Sequence, residues 1–108
     1  LPEKLEHLRQ YIQANLLGDL CNASLAKTAC ISEASLARLF RNFLGRGSAQ
    51  YVTEIRVREA ARLLREYTET IDAIAARTGF PNRFYFSRVF KKLTIHSPAD
   101  FRSKYRAA

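Results

Sequence analysis

Arg38 and Arg88 stand at matching places in the chain, each two residues before a phenylalanine, Phe40 and Phe90. A guanidinium carried on a helix can donate to O6 and N7 of one guanine together, and a DNA major groove is wide enough to admit that helix. Arg83, Phe84, Ser87 and Lys91 fall on the same helical face as Arg88, and Glu33, Ala34, Ala37 and Arg41 on the same face as Arg38. Arg38, Arg88, Arg83 and Ser87 are the polar candidates for base edges, with Arg83 equally suited to phosphate. Phe84 either meets a thymine methyl or tucks into its own lobe. Ala34 and Ala37 allow close approach and methyl contact but offer little polar readout, so the first face is expected to read fewer bases. Arg41, Lys91, Lys92, Arg56 and Arg102 suit phosphate contact or structural pairing; phosphate contacts position a protein on the duplex without reading it.

Such side chains need short, rigid carriers, and the stretch Thr70–Lys92 supplies them. Ile71, Ile74, Ala75 and Thr78 recur at helical spacing. Thr70 suits the N-cap and Asp72 the positive end of that helix. Gly79 is free to take positive φ and end it, and Pro81 forbids its continuation. Asn82 can cap a second helix, over about 82–93, whose buried stripe is expected to be Tyr85, Phe86, Val89, Phe90 and Leu93. Two short helices around a glycine turn, the second with a basic outer face, make a helix-turn-helix.

The pattern occurs twice. Leu25-Ala26 matches Ile74-Ala75, and Cys30-Ile31-Ser32 matches Gly79-Phe80-Pro81, at an offset of 49 residues. After the turn the offset is 50: Leu36 with Phe86, Arg38 with Arg88, Phe40 with Phe90, Gly47-Ser48 with Ser97-Pro98, and Tyr51 with Phe101. The second copy thus has one more residue at its turn, and an internal duplication of this length organises the chain. In the first copy Ser32 is the expected cap of a helix over about 33–44, with Leu36, Leu39, Phe40 and Phe43 inward and Gly45 and Gly47 at its end.

Between the copies, Ser48 to Glu66 reads as one long helix with Tyr51, Val52, Ile55, Val57, Ala60, Leu63 and Leu64 apolar and Arg56, Arg58, Arg62 and Arg65 charged. At about 1.5 Å per residue it is roughly 28 Å long, comparable with the ~34 Å between successive major grooves on one face of DNA. A helix that merely packs between lobes would look the same. A first helix is expected from Pro2 to about Leu16, on Leu5, Leu8, Tyr11 or Ile12, and Leu16, with Gly18 ending it. His7 is expected at its surface. A last one follows Ser97 as cap and Pro98 in its first turn, closed inward by Phe101 and Tyr105, with Arg102, Lys104 and Arg106 toward water or phosphate. The expected fold is all-α, about seven helices: residues 1–47 as a helix plus the first helix-turn-helix, 48–66 as linker helix, and 67–108 as the second helix-turn-helix plus a C-terminal helix.

Ile74-Ala75, Gly79-Phe80, Tyr85-Phe86, Phe90-Lys91-Lys92, Ser97-Pro98 and Phe101-Arg102, in this order and spacing, resemble the signature of the AraC/XylS family of bacterial transcription regulators. Tyr51, Arg56, Ala60 and Leu63-Leu64 are similar to the family's linker pattern. The resemblance extends from about Leu5 to Tyr105. It implies the C-terminal DNA-binding domain of an activator or repressor, with two reading helices in successive major grooves, base-contacting residues on those helices, and contact with RNA polymerase. It also implies an effector or dimerisation domain before Leu1, in keeping with a chain that has no methionine, and a place in the bacterial cytoplasm, on the nucleoid. Departures are Cys30 where the first turn often has glycine, Asn22 at a usually apolar place, Ile95 for the glycine after Phe-Lys-Lys, and Ser48 for a common proline. They bear on loop geometry: at Cys30, a position needing positive φ would cost strain.

The totals agree. The 108 residues suit one compact domain or two very small lobes, and 47% apolar content suits a folded chain. Net charge is +8, and it is uneven: residues 55–108 hold 12 Lys/Arg against 5 Asp/Glu and so carry +7 of it. That is the footprint of a polyanion partner, although RNA or an anionic membrane surface would be served equally by charge alone. No apolar run approaches the ~20 residues of a membrane span. Cys21 and Cys30 suggest no disulfide framework, and with His7 and His96 they do not match zinc spacing. No nucleophile motif or phosphate loop is present, so no enzyme, cofactor or metal is expected. The leading expectation is sequence-specific binding of double-stranded DNA. The alternatives are a basic helical module for acidic protein partners, and an RNA binder, which would usually offer open stacking aromatics.

Overall fold

The computed structural model describes residues 1–106; Ala107 and Ala108, the end of the expected 67–108 segment, lie outside the described residues. Among the described residues there are seven helices and no strands: α1 (Glu3–Ala14), α2 (Asn22–Thr28), α3 (Glu33–Leu44), α4 (Ser48–Glu66), α5 (Ile71–Arg77), α6 (Arg83–Thr94) and α7 (Pro98–Tyr105). The contacts divide the chain into two compact units, Leu1–Thr53 and from Glu54 onward, so the division falls inside α4.

In the first unit, Leu5, Leu8 and Ile12 of α1 are buried together with Leu20, Leu25, Ala26, Leu36, Phe40, Tyr51 and Val52. Phe40 meets Tyr51 edge-on, ring centroids 5.6 Å apart. The Tyr51 hydroxyl accepts from Arg9 Nε at 3.1 Å, and Lys4 Nζ donates to Ala29 O at 2.8 Å, so α1 is tied to its neighbours at its start and its middle. α1 stops earlier than expected. Asn15 leaves helical geometry at φ −132° and its carbonyl takes the Gly18 N–H.

The second unit closes around Val57, Ala60, Leu63, Leu64, Ile74, Ala75, Phe80, Phe86 and Phe90, with Ile71, Val89 and Phe101 packed against them. Rings carry much of it: Phe80–Phe86 at 5.0 Å, Phe86–Phe90 at 5.5 Å and Phe90–Phe101 at 5.2 Å between centroids. Offset or edge-on pairs of this kind add to the burial of the rings themselves. Thr78 is fully buried, and its hydroxyl donates back to Ile74 O at 2.8 Å. Arg102 of α7 donates from Nε to Leu64 O (3.3 Å) and from Nη2 to Tyr67 O (3.2 Å), covering carbonyls that the end of α4 leaves without helical partners.

The duplication is structural. α2 and α5 each have 7 residues, and α3 and α6 each have 12. The N–H of Ile31 bonds Ala26 O and that of Phe80 bonds Ala75 O, both at 3.0 Å. Ser32 Oγ accepts from Ser35 N at 3.1 Å, and Asn82 Oδ1 from Tyr85 N at 2.8 Å. Each cap is worth about 1 kcal/mol. Thr70 and Ser97 cap α5 and α7 in the same way, as expected. Because the caps match as Ser32 with Asn82, Pro81 is the extra residue; pairing Ser32 with Pro81 is corrected.

Candidate nucleic-acid interface

α3 and α6 each bury one stripe and leave the other to solvent. On α3, Leu36 and Phe40 go inward, while Glu33, Ala34, Ala37, Arg38 and Arg41 are exposed. On α6, Phe86 and Phe90 go inward; Arg83, Phe84, Arg88, Lys91 and Lys92 are exposed and Ser87 is half-buried. Three side chains assigned to the inner stripes are not there. Phe43, Tyr85 and Leu93 are 52%, 41% and 44% exposed: each stripe is closed by residues four apart, Phe43 and Leu93 lie in the last turn of their helices, and Tyr85 lies in the first turn of α6. Phe84 is 73% exposed, so it does not tuck into the lobe.

The charges on these faces are largely uncompensated. Among the described residues, Arg38, Arg41, Arg88, Lys91 and Lys92 make no ion pair. Arg83 is the exception: Nη1 lies 3.8 Å from Asp72 Oδ2 across an exposed gap, and its guanidinium carbon is 5.0 Å from the Phe84 ring centroid. Arg38 Nη2 donates to Ser35 Oγ at 3.2 Å. Arg88 lies over the Tyr85 ring, 5.5 Å from its centroid. The sequence did not single out Ser35, and it placed Tyr85 in the buried stripe; the available signal for both was their shared place, three residues before each arginine.

Two of the proposed phosphate ligands are placed elsewhere. Arg102 is occupied with the α4 carbonyls, the structural-pairing option. Arg56 is half-buried on α4, and burial lowers its pKa, the nearby Tyr85 offsetting only part of that. Arg62, by contrast, is enclosed by Glu59 and Glu66, and hydrogen bonding to Glu59 holds its pKa above the usual value. Cys21 and Cys30 are free and exposed. No group of three or more potential metal ligands occurs among the described residues.

A family model described as a helix-turn-helix domain matches residues 25–104. Over 95 residues, 87% of this chain, the sequence is 37% identical to the arabinose operon regulatory protein of Salmonella typhimurium. The chain belongs to the AraC/XylS family. It is also similar to the C-terminal domain of AraT, a response regulator from Geobacillus stearothermophilus, at 33% identity and a TM-score of 0.93, covering 100% of this chain and 90% of that one. The chain is also similar to the DNA-binding domain of AdpA, a global transcriptional factor, whose crystal structure was determined in complex with a target DNA. Its identity is 27% and its TM-score 0.90, over 96% of this chain and 94% of that one. This AraC-type chain spans about a third of the length of the arabinose regulator, 34%.

Proposed function

We propose that this chain binds double-stranded DNA sequence-specifically as part of a transcription regulator, with α3 and α6 as reading helices. One observation carries it: both repeats present an arginine without an ion pair from the same exposed helical place, two residues before a buried phenylalanine. The likeness to the AdpA domain, crystallised with its target DNA, supports the same reading. Arg38, Arg88, Arg83 and Ser87 face base edges, Phe84, Ala34 and Ala37 make apolar contacts there, and Arg41, Lys91 and Lys92 take phosphates. Arg56 is a weaker phosphate ligand, and Arg102 serves the fold first. RNA polymerase as protein partner, an effector or dimerisation domain in the full-length regulator, and residence on the nucleoid in the bacterial cytoplasm belong to the same proposal by family analogy. Among the described residues no helix is long and apolar enough to cross a membrane.

The test is selection of bound duplexes from a random pool at about 150 mM salt, where purely electrostatic binding is suppressed. Two enriched motifs mean that both helices read. One motif assigns reading to a single unit, expected to be the second. No enrichment would sink the proposal and favour a basic module for acidic protein partners.

A further inference from the structure

The two arginines are equivalent in sequence but differently held, and the difference lies three residues upstream. In the first repeat Ser35 has its N–H on the Ser32 cap, and its hydroxyl accepts from Ser32 Oγ at 3.0 Å and from Arg38 Nη2 at 3.2 Å. Cap, serine and arginine form one hydrogen-bonded chain along the exposed side of α3. In the second repeat the corresponding residue is Tyr85, whose N–H is on the Asn82 cap in the same way. Its ring lies 6.2 Å from Phe80 and 5.5 Å from the Arg88 guanidinium carbon, within the range of a cation–π contact. Arg56 of α4 is within electrostatic reach of the same tyrosine. Tyr85 is thus held between a core ring and the Arg88 guanidinium, although 41% of it is exposed.

Resting on the DNA-reading function above, we propose that Ser35 and Tyr85 are the positioning residues of Arg38 and Arg88, and that they give the two arginines different reading power. An aromatic face restrains a guanidinium without using any of its N–H donors. Arg88, with no hydrogen bond or ion pair among the described residues, therefore keeps its full fork for the two acceptors of a guanine edge. Arg38 has one of its five N–H donors, on Nη2, engaged by Ser35 and so reads with one fewer. The consequence is a strong guanine preference at the base pair facing Arg88 and a weaker, more permissive one at the pair facing Arg38.

The experiment is the same random-duplex selection, run with the wild-type chain and with Tyr85→Phe, Tyr85→Leu, Arg88→Ala, Tyr85→Leu/Arg88→Ala, Ser35→Ala and Arg38→Ala, each confirmed helical by circular dichroism. Tyr85→Gln replaces Tyr85→Leu if the latter does not fold. Arg88→Ala identifies the base pair that Arg88 reads. Tyr85→Leu is expected to weaken preference at that pair alone, about two- to fivefold, the size of an exposed cation–π contact. Tyr85→Phe keeps the ring and should keep the preference, and the double variant should lose no more than Arg88→Ala. Ser35→Ala should alter preference only at the pair that Arg38→Ala affects. A Tyr85→Leu chain with the wild-type motif, with equal loss on every duplex, or with a loss that multiplies that of Arg88→Ala would overturn the positioning role alone. A wild-type chain that enriches no motif would overturn base reading itself and the positioning roles with it.

Discussion

Cys30 and Ile95 are the two non-glycine residues with positive φ among the described residues, at 58° and 65°, and each stands where the other repeat has glycine. Cys30 corresponds to Gly79 (φ 88°) and Ile95 to Gly45 (φ 71°). Each repeat therefore keeps one glycine at its two left-handed positions and bears strain at the other. For a β-branched residue such a φ is an outlier, and its cost is of the order of 1–2 kcal/mol.

Ile95→Gly should stabilise the second unit by roughly 1 kcal/mol once the added freedom of the unfolded chain is subtracted. The Ile95 side chain is 79% exposed, so little packing is lost. Cys30→Gly should act in the same direction on the first unit. Urea unfolding of each variant measures this, and a lowered midpoint for Ile95→Gly would show that the strain is illusory.

Arg88→Ala should cost about 1–3 kcal/mol on a selected site and relax preference at one base pair. Arg38→Ala should do likewise at another pair, at the lower end of that range. Titration against matched and mismatched duplexes decides it. Equal loss on all sequences would reassign either residue to the phosphate backbone.

Arg102→Ala should lower stability by about 1–2 kcal/mol, since two backbone carbonyls lose a charged donor. Arg102→Lys should recover only part of this, because an ammonium lacks the fork that spans Leu64 O and Tyr67 O. Thermal melts test the effect on folding. A melt unchanged in Arg102→Ala, with weakened binding, would return Arg102 to phosphate contact.

Asp19 gives a pH signature. The Ser24 hydroxyl, followed by the Cys21 N–H, holds its pKa below the ordinary carboxylate value. A depressed folded pKa contributes stability that is fully present above the unfolded value, about 3.9, and is lost as pH falls through the folded one. Asp19→Asn should remove that acid-side slope and lower the neutral-pH melt toward its acid-side value, since the charged form's contribution is absent at every pH. An identical slope in the variant would mean that another carboxylate is responsible.

Phe84→Ala should leave the melt within about 0.5 kcal/mol of wild type, as for an exposed site with few contacts. It should weaken selected-site binding where a thymine lies opposite, and deoxyuridine at that position should mimic the change in the wild-type chain. A normal response to deoxyuridine would remove Phe84 from the interface.

Most of the scaffold was legible in the residues because its signals are local. The α4 span, the Thr70, Ser32, Asn82 and Ser97 caps, and the buried Ile74, Phe86 and Phe90 all follow from side-chain periodicity and short-range hydrogen bonding. The errors occur where local periodicity competes with the finite size of a lobe. Tyr85, Leu93 and Phe43 have apolar character at helical spacing, yet each remains more than 40% exposed. Helical spacing could not distinguish Tyr85 as core from Tyr85 as platform, since both leave it three residues from Arg88. The bonds of Arg102 to Leu64 and Tyr67 span more than 30 residues of chain, and no sequence pattern carries contacts of that range.

The placement of Pro81 has a practical result. Since it falls before the Asn82 cap, the interval from cap to arginine is the same in both repeats, Ser32 to Arg38 and Asn82 to Arg88. Length changes in the turn are absorbed upstream of the cap and do not rotate the outward side chains that follow. The capped helices are therefore matched in phase: residues 82–94 transplanted over 32–44 would bring Phe86 and Phe90 to the places of Leu36 and Phe40, with the first core repacked around the larger ring at Leu36. Altered recognition could then be assembled by exchanging whole helices within this one scaffold, without redesigning the turns that hold them.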